Sequence, residues 1–244
     1  MIIYNLYTEE QALKAVSTKR HALQYVKKQT PEICLAAVKH SGEELAYVLE
    51  QTPEICLAAV EKDGHALKYV KHQTPEICLA AVKQNGYALL AVREQTEEIC
   101  LAAVRCYGAV LVHVHNATPK IIKSAIMQYG HAINYVKVKT PELCMLAVLN
   151  SPYALSHIDN QTHELCIAAV SKNADSIVYV KDQTPEICMA AVQQNGMSLV
   201  YIKDQTEDIC RAAVSNCNQS LVYVRNKDLF IALAKEFNIE NDLV

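Results

Sequence analysis

The chain lacks several features that would place it in a common functional class. Its 244 residues include no tryptophan and two phenylalanines, and no apolar run approaches the roughly 20 residues that cross a bilayer. The opening MIIYNLYTEE lacks the basic start and apolar stretch of a signal peptide. A net charge of −3 lacks the basic excess typical of nucleic-acid-binding proteins. We therefore expect an intracellular, cytoplasmic protein with no membrane segment and no general affinity for nucleic acid.

What the chain does have is a repeat of 22 residues, marked by threonine. The ten copies run from residue 8 to residue 227 without insertion or deletion and begin at Thr8, Thr30, Thr52, Thr74, Thr96, Thr118, Thr140, Thr162, Thr184 and Thr206. A fixed period of this length is typical of solenoids, in which each repeat buries its apolar face against its neighbours. We expect residues 1–7 to lead in, residues 8–227 to form one solenoid and residues 228–244 to cap it.

Within a repeat, counted from threonine as position 1, the residue types predict two helices. Threonine is a helix N-cap, proline at position 2 suits the first turn, and glutamate at position 3 suits the helix dipole. All six glycines fall at position 13, where we expect a left-handed cap that ends the first helix. A second, shorter helix such as YALLAVRE then leads to the next threonine.

The predicted fold class is therefore all-α: an α-solenoid of about ten helical hairpins of 22 residues, with a C-terminal capping helix. Stretches such as SIVYVKD are rich in β-branched residues, so a helix-plus-strand solenoid stays open as the alternative.

The repeated phrase itself resembles a known family. TPEICLAAVKQNGYAL and its spaced copies, from Thr8 to Lys227, resemble the repeats of domain of unknown function 4116. Repeats one, six and ten depart most from the phrase. The resemblance implies a helical repeat, and it implies no activity, cofactor or catalytic residue.

Cysteine forms a column at position 5 of the repeat, made of Cys34, Cys56, Cys78, Cys100, Cys144, Cys166, Cys188 and Cys210. Because stacked helices lie about 8–10 Å apart, the column indicates small buried core residues rather than disulfides, as in a reducing compartment. Cys106 and Cys217 lie outside the column. No spacing of cysteine, histidine or carboxylate indicates a catalytic residue, a metal or a cofactor, so we expect no enzyme.

Two further columns concern the surface of the repeat. Tyrosine recurs at position 18, on the edge between buried and exposed positions, and is replaced at Ala91, His113 and His157. Lysine or arginine recurs at position 20, where we expect pairing with the glutamates of a neighbouring repeat.

Without a catalytic pattern, we expect a non-enzymatic scaffold that binds a protein partner through the variable exposed face of the second helices. Position 17 is predicted to face water, and in the last three repeats it holds Val178, Val200 and Val222, each followed by tyrosine: Tyr179, Tyr201 and Tyr223. Such a strip indicates a partner surface or self-association. The alternative is that curvature or the tail from Asp228 covers these valines, so that they belong to the core.

The sixth repeat, TPKIIKSAIMQYGHAINYVKVK, has no acidic residue. Its Lys120, Lys123 and His131 suggest a site for an anionic ligand or nucleic acid, whereas the simpler interpretation is variation on a solvated face. A purely structural, self-assembling protein is the third alternative.

Overall fold

Each of the second to tenth repeats folds as a ten-residue α-helix followed by a six-residue 3-10 helix, and the first repeat has shorter versions of both. The computed structural model describes residues 8–239, so the predicted lead-in at 1–7 and the last residues of the tail, 240–244, lie outside the described residues. The α-helices are α1 (Glu9–Val16), α2 (Pro31–His40), α3 (Pro53–Lys62), α4 (Pro75–Gln84), α5 (Glu97–Cys106), α6 (Pro119–Gln128), α7 (Pro141–Asn150), α8 (His163–Lys172), α9 (Pro185–Gln194), α10 (Glu207–Asn216) and α11 (Lys227–Glu236). The 3-10 helices are η1 (Leu23–Tyr25), η2 (Gly42–Tyr47), η3 (Gly64–Tyr69), η4 (Gly86–Ala91), η5 (Gly108–His113), η6 (Gly130–Tyr135), η7 (Pro152–His157), η8 (Ala174–Tyr179), η9 (Gly196–Tyr201) and η10 (Asn218–Tyr223).

These helices confirm the predicted all-α solenoid class, and residues 8–239 contain no strand of the alternative repeat. The chain divides into two compact units, Met1–Gln128 and Tyr129–Val244, with the boundary inside the sixth repeat. Within each unit, successive α-helices pack on one another and successive 3-10 helices form a second row. At the end of the second unit, α11 packs on η10 and α10. That one solenoid runs through residues 8–227 stays a prediction.

The start of the α-helix in each repeat follows from the predicted threonine cap. The Thr30 hydroxyl accepts a hydrogen bond from the Ile33 N–H at 3.4 Å, and the Thr52 hydroxyl accepts one from the Ile55 N–H at 3.3 Å. Both threonines have extended backbones, as N-caps require. At Glu142, hydrogen bonds from its own backbone N–H and then from the Thr140 side chain lower the pKa of the carboxyl.

The end of each α-helix differs from the prediction. No described glycine has a positive φ, so the expected left-handed cap at position 13 is wrong. The helix ends instead at an extended residue, for example Ser41 with φ −146° and ψ 121°. Glycine follows because the repeats approach closely there: a Cβ on Gly42 would lie 2.6 Å from the carbonyl oxygen of Ala59 in the next repeat. The Cβ of a residue at Gly130 would lie 2.6 Å from the Ala147 oxygen.

The second helix is present, but it is a 3-10 helix with three residues per turn rather than an α-helix. Residues three apart therefore share one side. In η3, Gly64 and Leu67 face the core, whereas His65 and Lys68 at positions 14 and 17 are exposed. The same geometry makes position 17 an outward position in every repeat.

At most junctions a glutamine at position 22 joins one 3-10 helix to the next. The Gln51 side chain donates from Nε2 to the Tyr69 carbonyl at 2.9 Å and accepts at Oε1 from the Lys71 N–H at 2.9 Å. We call this arrangement the glutamine bridge. It recurs at seven junctions, with donor distances of 2.8–3.2 Å and acceptor distances of 2.9–3.0 Å. The bridging residues are Gln29, Gln51, Gln73, Gln95, Gln161, Gln183 and Gln205.

The cysteine column packs behind these bridges. All eight position-5 cysteines are buried and unpaired, which confirms the prediction for the column, whereas Cys106 and Cys217 are partly exposed. The Cys56 thiol lies 3.8 Å from the Gln51 side-chain oxygen. Burial raises the pKa of the column thiols, for example of Cys34 and Cys100, so they are protonated at neutral pH.

We predict that Gln51→Ala destabilises the protein by about 1–3 kcal/mol, because the mutation leaves the partly buried Tyr69 carbonyl and the exposed Lys71 N–H without their partner. Urea unfolding followed by circular dichroism measures the effect. Gln193→Ala is the control, since Gln193 is exposed and its side chain makes no hydrogen bond within residues 8–239. Equal stabilities for the two variants would contradict the bridge.

Candidate functional site

The predicted partner residues form an exposed row at the C-terminal end of the second unit. Val178, Val200 and Val222 are 50%, 39% and 47% exposed. The 3-10 helix η8 packs on η9, and η9 packs on η10, so these valines lie on neighbouring helices. The interpretation that they are core residues is therefore wrong. We call them, together with the tyrosines that follow them, the valine–tyrosine row.

The tyrosines complete this row with rings that are only partly covered. Tyr179 and Tyr201 are 41% and 42% exposed, and Tyr223 is half-buried. The Tyr179 ring meets the Tyr153 ring edge-on, with centroids 5.9 Å apart. Tyrosine with one face packed and one face free suits an interface, because it offers contact area at low conformational cost.

Basic side chains at position 20 follow the tyrosines of the row in sequence, and their hydrogen-bond partners differ from the predicted ones. Lys203 donates to the Lys181 carbonyl at 3.3 Å, and Arg225 donates to the Lys203 carbonyl at 2.9 Å. The expected pairing of position 20 with the glutamate column is therefore wrong: these side chains bind backbone carbonyls one repeat earlier. Lys181 also pairs with the Asp159 carboxylate at 3.0 Å, and this hydrogen bond and charge lower the pKa of Asp159.

The predicted anion residues are divided between the two units. Lys120 and Lys123 are exposed on α6 of the first unit. His131 lies on η6 of the second unit, half-buried, and both of its ring nitrogens already have neighbours. A site made of all three side chains therefore stays a prediction.

His131 belongs to a cluster within the second unit. Its Nδ1 lies 3.0 Å from Nε2 of His157, and its Nε2 lies 3.2 Å from the Ser151 hydroxyl. A hydroxyl and two imidazoles in a row can relay a proton. However, the same contact between positions 14 and 12 of successive repeats joins His65 to Asn85 at 2.9 Å, where no hydroxyl is present. We therefore assign the cluster to packing between repeats.

Sequence reasoning missed this histidine pair and the glutamine bridges. The available signal for the pair was the break in the tyrosine column at His157. The available signal for the bridges was the recurrent Gln-Thr pair at the repeat boundaries, in which only the threonine was interpreted. Both contacts join residues 18–26 apart in sequence, beyond the reach of a helical pattern.

Within residues 8–239, no helix has the length and apolar character needed to span a bilayer. In the same residues, no three histidine, cysteine or carboxylate side chains are grouped so that they could hold a metal ion.

The structure thus defines a helical repeat protein of the α-solenoid class. Residues 52–95, which are the third and fourth repeats, match the family model described as "Domain of unknown function (DUF4116)", and this match confirms the family resemblance. No curated protein and no solved structure matches the chain. The family description assigns no activity.

We predict that the second unit loses stability as the pH falls from 7.5 to 5. Burial, then the neighbouring His131 and Lys139, lower the pKa of His157 below its ordinary value of 6.5. A lowered pKa in the folded state gives stability that is present above the unfolded pKa and lost as the pH falls through the folded pKa. His157→Tyr, which restores the usual position-18 residue, should reduce this loss.

Urea midpoints at pH 7.5 and pH 5 measure the effect. His163→Gln, at an exposed histidine of the same unit, controls for the removal of a histidine. If His157→Tyr shows the same pH dependence as the wild type, the histidine pair does not carry it.

Proposed function

We propose that this protein is a non-enzymatic, intracellular repeat scaffold that binds a protein partner through the valine–tyrosine row. The three exposed valines carry the proposal. Three successive repeats expose apolar side chains at a position where repeats one, three and seven have Gln24, Lys68 and Ser156. Contiguous apolar surfaces of this kind are typical of interaction sites.

Burial of the row would supply part of a binding free energy. Complete burial of a valine contributes about 1.5–3 kcal/mol, so covering three half-exposed valines would contribute about 2–4 kcal/mol. Three tyrosines add aromatic contacts, and the cations Lys181, Lys203 and Arg225 supply a polar rim. An apolar centre with a polar rim is the usual composition of a protein interface.

The intracellular location is supported by the cysteines. All ten are unpaired, which fits a reducing compartment. A cytoplasmic protein partner is therefore the expected occupant of the row, and self-association is the other outcome that an experiment must separate.

A second candidate function uses the sixth repeat. Lys120 and Lys123 are exposed, and within the described residues neither forms an ion pair with a carboxylate. Free cations on one helix favour an anionic ligand or nucleic acid. If Lys120→Glu/Lys123→Glu binds such ligands as the wild type does, this candidate fails.

The valine–tyrosine row predicts the behaviour of the triple variant Val178→Gln/Val200→Gln/Val222→Gln. Its unfolding free energy should change by less than about 0.5 kcal/mol per site, because the positions are exposed. Proteins that the wild type captures from a cell extract should be lost, because polar groups then replace the apolar centre. Quantitative mass spectrometry of the captured proteins measures the loss.

The matched control is Val138→Gln, at a valine that is 75% exposed outside the row. Proteins retained by the wild type and the control but lost by the triple variant support the proposal. Equal capture by all three, or an unfolded triple variant, contradicts it. Sedimentation equilibrium distinguishes self-association from binding of another protein. If the row mediates self-association, the wild type is a dimer and the triple variant is a monomer.

A further inference from the structure

One junction within the second unit lacks the glutamine bridge. At position 22 of the sixth repeat stands Lys139, so no glutamine reaches the His157 carbonyl and the Asp159 N–H of the seventh repeat. At the next junction the same two groups, the Tyr179 carbonyl and the Lys181 N–H, bind Gln161 at 2.9 Å each. Within residues 8–239, no side chain replaces the amide at the sixth junction.

The backbone there shows the effect of the missing amide. The residue between the carbonyl and the N–H has φ between −81° and −69° at the seven bridged junctions. Its counterpart Ile158 has φ −113°. Val26 and Val136 are the equivalent residues of the first and sixth repeats, which are also not preceded by a glutamine at position 22. Their φ values are −91° and −89°. The amide therefore holds the backbone in one conformation, and its absence lets the backbone relax.

A cavity lies at the same junction. Its volume is about 580 Å³, and its lining includes Lys137, Lys139, Cys144, Ile158 and Asp159. The corresponding cavity of the first unit, beside Gln73 and Arg93, has a volume of about 300 Å³. The larger volume lies within the usual range of small-ligand sites, about 300–1,000 Å³.

We propose that this cavity binds a primary carboxamide carried on a molecule that also bears a carboxylate, with L-glutamine as the simplest example. The ligand amide would take the place that the glutamine side chain has at other junctions, donating to the His157 carbonyl and accepting from the Asp159 N–H. Lys137 and Lys139 line the cavity, and their ammonium groups would bind the ligand carboxylate. This binding site is separate from the valine–tyrosine row and goes beyond the scaffold function.

The backbone pair distinguishes a carboxamide from a carboxylate. A carbonyl and an N–H side by side require a group that both donates and accepts, which a primary amide does and a carboxylate does not. Binding should also draw Ile158 towards the φ of the bridged junctions. L-glutamate, with the same size and an additional charge, is therefore the discriminating competitor.

Isothermal titration calorimetry with L-glutamine and L-glutamate tests the proposal. We expect L-glutamate to bind about tenfold more weakly, because it leaves the His157 carbonyl unpaired and tenfold corresponds to about 1.4 kcal/mol. Lys139→Gln should weaken L-glutamine binding at least about tenfold, because its own amide would bridge the junction. Lys137→Gln is the matched control with the same change of charge, and only a few-fold loss is expected.

Cys144 offers a second measurement because its thiol is buried in the cavity wall. Its alkylation rate, followed by peptide mass spectrometry, should fall in the presence of L-glutamine and in Lys139→Gln. The peptide acetyl-Asp-Gln-Ala N-methylamide, which carries a carboxylate next to its glutamine, separates two sources of the carboxamide. Binding of this peptide assigns the site to a glutamine side chain of a polypeptide, and binding of L-glutamine alone assigns it to the free amino acid.

Three results would overturn the proposal. Equal affinities for L-glutamine and L-glutamate would identify a simple anion site, and so would equal losses in Lys139→Gln and Lys137→Gln. A carboxamide site would be excluded if neither millimolar L-glutamine nor the peptide gave a heat of binding or slowed the alkylation of Cys144. None of these results affects the valine–tyrosine row, which is tested by other variants.

Discussion

The glutamine bridge is the interaction on which the repeat depends. A six-residue 3-10 helix ends with a carbonyl and an N–H that no residue of the same helix satisfies, and unsatisfied backbone groups between packed repeats are costly. One glutamine amide satisfies both, and the threonine after it starts the next α-helix. Gln51 bonds to the next 3-10 helix and the adjacent Thr52 caps the next α-helix, so both interactions are made at the same point of the chain. A residue inserted between the glutamine and the threonine would separate these two interactions, which favours a constant spacing at the bridged junctions.

The 3-10 geometry also determines which surface is available for function. Three residues per turn direct positions 13 and 16 into the core and positions 14 and 17 into water. Position 13 is constrained by the close approach of the next α-helix, as at Gly42. Position 17 has no such constraint, so it varies from Lys68 to Val178 without a change of fold. The repeat thus separates packing from recognition, and the valine–tyrosine row lies on the part of the repeat that packing leaves free.

Sequence predicted the features that depend on neighbouring residues and missed those that depend on the next repeat. The cap at Thr30, the burial of Cys34 and the exposure of Val178 follow from local residue types and helical angles. The role of Gly42 was misjudged because glycine after a helix usually indicates a left-handed cap. Here glycine is needed because the backbone of Ala59 in the next repeat approaches closely. A 3-10 helix could not be distinguished from a short α-helix, since the two differ by about 20° per residue over six residues.

The bridge is absent where the sequence is most divergent. Ala117 and Lys139 stand before and at the end of the sixth repeat, which also contains the boundary between the two compact units. In a solenoid, stability is close to a sum of contacts between neighbours, so a weaker junction has a local cost and does not propagate. Buried contacts such as that of Ala147 with Gly130 remain at the Lys139 junction and keep the repeats packed. A junction that keeps its core and loses only its polar bridge has backbone groups free for an external ligand, which a fully bridged junction cannot offer.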